Sequence, residues 1–123
     1  MTIHELNHVA IYVTDIGRSS DFYQRVLKLA PISRPAFSFP GAWFRLGTEQ
    51  ELHLIANLRS PFFPSHENNH FALRVDDLDH WEQHLKQVGA DFAYRKPRPD
   101  GAMQVFLRDP DGHAIELVTP PPK

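Results

Sequence analysis

The chain has 123 residues, and 41% hydrophobic against 23% charged residues is the balance of a folded domain with a real core. A formal net charge of −2 argues against a general nucleic-acid-binding surface, and the absence of cysteine excludes disulfides and thiolate nucleophiles or metal ligands. With no basic start followed by an apolar run, and no apolar stretch near the ~20 residues that cross a bilayer, the expectation is a cytoplasmic protein without membrane or nucleic-acid partners.

Leu6 to Val13 reads as a strand, with Val9, Ile11 and Val13 on one face and His8, Ala10 and Tyr12 on the other. Asp15 is the N-cap of a helix expected to reach about Lys28, with the apolar stripe Ile16, Phe22, Tyr23, Val26 and Leu27. Pro31, Pro35 and Pro40 break up the segment after it. Ala42 to Leu46 and Glu51 to Asn57 read as strands around Gly47-Thr48-Glu49-Gln50. Arg59-Ser60-Pro61-Phe62-Phe63-Pro64 has the composition of a linker. His70 to Val75 is a strand with Phe71, Leu73 and Val75 on one face. Asp77 caps a second helix, whose stripe is Leu78, Trp81, Leu85 and Val88, and Gly89 ends it. Strands come next near Asp91 to Arg95, Met103 to Leu107 and Ala114 to Thr119. Lys96 to Gly101 and Asp109 to Gly112 are turns.

The two halves repeat one another. Asn7-His8-Val9-Ala10 returns as Asn69-His70-Phe71-Ala72, and Val13, Asp15 and Ile16 meet Val75, Asp77 and Leu78 at the same offset. One residue later in register, Arg45 meets Arg108, His53 meets Glu116 and Leu54 meets Leu117. The fold class is therefore α+β, with two tandem β-α-β-β-β modules, residues 1–66 and 67–123, in one domain spanning 1–123.

A pseudo-twofold axis would bring His8, His53, His70 and Glu116 together. Strand parity agrees, because all four fall on the face opposite the apolar residues that must cover the helices. Three imidazoles and one carboxylate suit zinc, nickel, cobalt, iron or manganese rather than calcium. The same parity sets Tyr12 and Arg74 beside the site, where Arg74 would either grip a carboxylate or phosphate or form a structural ion pair near the rim. Arg95, Lys96 and Arg98 form a basic turn, which could close over an anion or simply be solvated. Phe37, Phe39, Trp43, Phe44, Phe62 and Phe63 could line a cavity or serve as core. His4, His66 and His113 read as ordinary structural histidines. His80 and His84 have chelating helical spacing but read as a surface pair.

The segments His8 to Asp15, Ser20-Asp21-Phe22-Tyr23, His70 to Leu78 and Asp109-Pro110-Asp111-Gly112-His113-Ala114-Ile115-Glu116-Leu117 resemble the vicinal oxygen chelate superfamily. This superfamily comprises glyoxalase I and its relatives among epimerases, extradiol dioxygenases and drug-resistance proteins. The resemblance covers essentially the whole chain. It implies paired modules forming a half-barrel around one divalent metal, zinc or nickel first, then iron, manganese or cobalt. It also implies a homodimer, in many members with a site mixing modules from two subunits.

By this resemblance His8, His53, His70 and Glu116 are the metal positions, though His53 could instead contact the substrate or stand behind a ligand. Glu116 and His53 are the candidate catalytic bases, and parity makes Arg74 and Tyr12 the candidate substrate contacts. The implied activity is that of a lyase or isomerase of the lactoylglutathione lyase type, through a metal-stabilised enediolate. Glutathione or another thiol is a candidate cosubstrate. Glyoxalase I commonly carries a carboxylate or amide where this chain has His53. The alternatives are a ring-cleaving iron dioxygenase, a fosfomycin-type thiol transferase and a non-enzymatic binding protein. The transferases resemble His-x-Thr at the first ligand, whereas this chain has His8-Val9-Ala10.

Overall fold

The computed structural model describes residues 1–56 and 69–123, without the side chains of Tyr94 and Arg95. The expected linker, with Phe62, Phe63 and His66 and the module boundary at 66/67, lies outside the described residues. The chain forms two compact units, Met1–Phe62 and Phe63–Lys123.

In the first unit β1 (His8–Val13) leads into α1 (Ile16–Asp21), then β2 (Pro31–Ile32), β3 (Gly41–Leu46) and β4 (Gln50–Ala56). The sheet order is β1-β4-β3-β2, with β1 parallel to β4 and the other pairs antiparallel. The second unit repeats this with β5 (His70–Arg74), α2 (Leu78–Gln87), β6 (Phe92–Pro97), β7 (Met103–Arg108) and β8 (Ala114–Val118), in the order β5-β8-β7-β6. The α+β class and the β-α-β-β-β repeat thus hold in each unit.

Burial tracks strand parity. On β4, Leu52, Leu54 and Ala56 are buried while Glu51, His53 and Ile55 between them are only half-buried. Each fully buried leucine stabilises the fold by roughly 1.5–3 kcal/mol. On β1 and β5, Val9, Ile11, Phe71 and Leu73 are half-buried, whereas Tyr12, Ala72 and Arg74 are exposed. β8 differs: Ala114, Ile115, Glu116 and Leu117 are all buried. Tyr23, Val26, Leu27, Phe44, Leu78, Leu85, Val105 and Leu107 belong to the same buried apolar set.

Both expected N-caps are present. Asp15 accepts from the backbone N–H of Arg18, and Asp77 from those of Asp79 and His80. The first helix departs from the expectation, since α1 passes into a π-helical stretch at Phe22–Val26, closed by Leu27 N–H donating to Phe22 O. The wider turn still buries Tyr23, Val26 and Leu27. Lys28 then takes a left-handed conformation (φ 58°), which ends the helix. The proline-broken segment contributes only the two-residue β2, and a register shift between Ala93 and Lys96 interrupts the pairing of β6 with β7.

Gly41 shows why one small residue matters. A Cβ there would lie 2.6 Å from Leu54 O and 2.8 Å from the Arg34 guanidinium. Arg34 rests on that bare backbone, donates to Phe39 O at 2.7 Å, and lies over the rings of Phe37 and Phe39. This pins the connection from β2 to β3.

Candidate metal and substrate site

The structure pairs the four ligand candidates two by two, one pair in each unit. In the first unit the parallel register sets Ala10 opposite His53 and His8 opposite Glu51. The rings of His8 and His53 stack at 4.2 Å between centroids. Trp43, directly opposite His53 on β3, covers the imidazole at 3.8 Å with planes 3° apart. His53 Nε2 lies 2.9 Å from Glu51 Oε1. His8 Nδ1 lies 2.7 Å from Asn7 Oδ1, an arrangement in which the amide oxygen accepts and Nε2 keeps its lone pair for a metal.

In the second unit His70 Nε2 lies 3.0 Å from Glu116 Oε1, with the glutamate side chain only 6% exposed. Register sets Ala72 opposite Glu116, so the imidazole reaches across from the start of β5. Phe106, opposite Glu116 on β7, meets the His70 ring edge-on at 5.4 Å. A buried carboxylate needs a cation or a set of donors. Two ligand atoms bound at right angles to one ion at ~2.1 Å would stand about 3 Å apart, so the His70–Glu116 spacing fits shared coordination. The donor set also suits a divalent transition ion. Among the described residues, no three or more His, Cys, Asp or Glu side chains gather as a metal-holding group.

The remaining candidates separate clearly. Tyr12 is 50% exposed on β1, opposite Ile55, and Arg74 is exposed on β5, opposite Val118. Arg98 is bound by Asp100, which holds its guanidinium above the ordinary range, with a smaller contribution from the charge of Glu116. That contribution puts Arg98 within electrostatic reach of the candidate carboxylate. Phe44 is core, Phe37 and Phe39 are exposed, and Trp43 is part of the histidine stack. His80 pairs with Asp77 on the surface and His84 meets the edge of Trp81, as expected of a surface pair. The Arg95 side chain lies outside the described residues.

Sequence reasoning missed Glu51. The signal was its parity with His53, two residues along the same strand.

The fold is that of known glyoxalase-type proteins. A glyoxalase family protein from Bacillus anthracis superposes with a TM-score of 0.85 at 25% identity, covering 97% of each chain. Residues 5–117 match the family model described as the glyoxalase/bleomycin resistance protein/dioxygenase superfamily, and the chain belongs to that superfamily. Among curated relatives, glyoxylase I 4 of Arabidopsis thaliana is 32% identical over 91% of this chain and 68% of its own length. The metallothiol transferase FosB of Bacillus licheniformis is 28% identical over 93% of this chain and 74% of its own. No helix among the described residues is long and apolar enough to cross a membrane.

Proposed function

We propose that this protein is a divalent-metal-dependent lyase or isomerase of the glyoxalase type, acting on a small, anionic, oxygen-bearing substrate. The observation that carries the reading is the His70–Glu116 pair, a buried carboxylate with an imidazole nitrogen at 3.0 Å. His8 and His53, neighbours on β1 and β4, are the two further imidazoles of this reading. We assign His8, His53, His70 and Glu116 as metal ligands, for zinc or nickel by preference, in a cytoplasmic homodimer.

When bound, the metal would act as a Lewis acid on neighbouring substrate oxygens. The chain's own residues do the rest. Glu116 or His53 takes the proton from the carbon beside the substrate carbonyl and returns it to the adjacent carbon. Arg74 binds the anionic end through a paired guanidinium contact, and Tyr12 is the second substrate contact. Glutathione or another thiol would enter as part of the substrate adduct.

A second reading is thiol transfer, favoured by the likeness to the Bacillus licheniformis metallothiol transferase. The same four residues would hold the metal, and a thiol sulfur would attack an epoxide carbon of the substrate, the C–O bond opening so that its oxygen keeps the electron pair and takes up the thiol proton. Ala10, standing where such transferases resemble His-x-Thr, favours the first reading.

The test is metal content after purification without chelators, then two assays with added zinc or nickel. One monitors isomerisation of a hemithioacetal, the other thiol addition to fosfomycin. About one equivalent of metal and isomerisation support the main reading; thiol addition alone replaces it with the second. Less than about a tenth of an equivalent, unchanged in His8→Ala and Glu116→Ala, overturns both.

A further inference from the structure

We infer that Glu51 is a positioning residue that fixes which nitrogen His53 offers to a metal. The inference deepens, and rests on, the metal-site reading above. β4 places Glu51 and His53 on one face, and Glu51 Oε1 lies 2.9 Å from His53 Nε2. An ionised carboxylate can only accept, so Nε2 carries the proton and Nδ1 carries the lone pair.

Glu51 is itself anchored. Arg45 faces it across β3 and β4, its Nη1 lies 3.5 Å from Glu51 Oε2, and the same nitrogen donates to Glu49 O at 3.0 Å. The imidazole plane is fixed independently, because Trp43 covers one side at 3.8 Å and His8 stacks on the ring at 4.2 Å. The hydrogen bond therefore sets the tautomer, while the stack sets the plane.

His8 has the opposite arrangement. Its Nδ1 is engaged by Asn7, leaving Nε2 as the donor to a metal. The two stacked histidines thus present opposite nitrogens, and Glu51 is what makes His53 the Nδ1 partner. It also adds a negative charge behind a ligand that is itself neutral, which strengthens the ligand's basicity. In the second unit the position equivalent to Glu51 is Ala114, across from Arg108, so the device belongs to the first unit.

The test has two readouts, one of which needs no metal and no turnover. In the metal-free protein, long-range nitrogen–proton NMR of the imidazoles, assigned with His53→Gln, reports the tautomer directly. We expect His53 as the Nε2–H form in wild type and in Glu51→Gln, whose amide oxygen still accepts, and a mixed population in Glu51→Ala. Zinc affinity by chelator competition should fall about 10–100-fold in Glu51→Ala and less in Glu51→Gln. A purely structural Glu51 would lower Tm and move neither readout. An Nδ1–H form in wild type, or zinc binding by Glu51→Ala equal to wild type, overturns the inference. Wild type that binds no zinc overturns the metal reading instead, and the NMR still decides whether Glu51 sets the tautomer.

Discussion

Trp43 faces His53 across β3 and β4, and Phe106 faces Glu116 across β7 and β8. Register is shared, yet the two places differ in chemistry. In the first unit an indole lies flat on an imidazole, and Glu51 stands behind that ring with its carboxylate on Nε2. In the second unit a buried carboxylate stands where the first has His53, and the aromatic ring turns edge-on to His70. A flat stack covers the imidazole face, whereas a buried carboxylate needs a cation or a set of donors. The repeated fold supplies two equal scaffolds, and one exchange, histidine for glutamate, changes what the aromatic neighbour and the adjacent strand position must do.

The largest expected effect comes from removing the carboxylate of the second unit. If Glu116 is both ligand and proton carrier, Glu116→Ala should lower activity by roughly 10²–10⁴-fold, read as kcat/KM with saturating zinc or nickel. Mixing it with His8→Ala sharpens the comparison, because each variant then carries one intact unit. Activity regained on mixing would mean that the site draws its units from two chains. No recovery from a demonstrated mixed dimer would assign both pairs to one chain.

A smaller effect is expected from making the first unit resemble the second. Trp43→Phe matches Phe106 and keeps an aromatic ring, but reduces the overlap with His53. The loss should be about 1 kcal/mol in chemical denaturation, with zinc affinity lowered in parallel. Unchanged stability and affinity would show that the stack contributes nothing beyond filling space.

Much of the fold and half of the site's logic were legible in the chain. Alternation along Val9-Ala10-Ile11 and Leu52-His53-Leu54 defined the faces, because a strand has a two-residue period, and the repeat defined two β-α-β-β-β halves. Parity put His8, His53, His70 and Glu116 on the faces opposite the apolar residues, but that His70 meets Glu116 and His8 stacks on His53 was not readable from it. What could not be read was side-chain rotation. Whether Glu51 turns to His53, whether Trp43 lies flat, and whether a helix widens at Phe22 are settled by packing between strands that the sequence holds apart. The two-residue β2 was hidden for another reason: prolines suppress the strand pattern while still permitting an edge.

The loops before β3 and β7 offer the last and smallest contrast. Each is held by an arginine, but by different forces. Arg34 lies over Phe37 and Phe39 and donates to Phe39 O, and neither rings nor a backbone carbonyl titrate in acid. Arg98 is held by Asp100, whose carboxyl is lowered from 3.8 to about 2, first by the Arg98 hydrogen bond and then by the Ala102 N–H. A depressed carboxyl contributes stability above its unfolded value and loses it as pH falls through the folded one. The Arg98 loop should therefore loosen between about pH 4 and pH 2, while the Arg34 loop stays unchanged over the same range. Both residues of the Arg98 pair are well exposed, so the effect on global stability is slight and local amide shifts near Gly101 and Ala102 are the proper measure. Asp100→Asn should abolish the pH dependence of those shifts. Equal movement in both loops would show that acid acts on the fold at large and not on this pair.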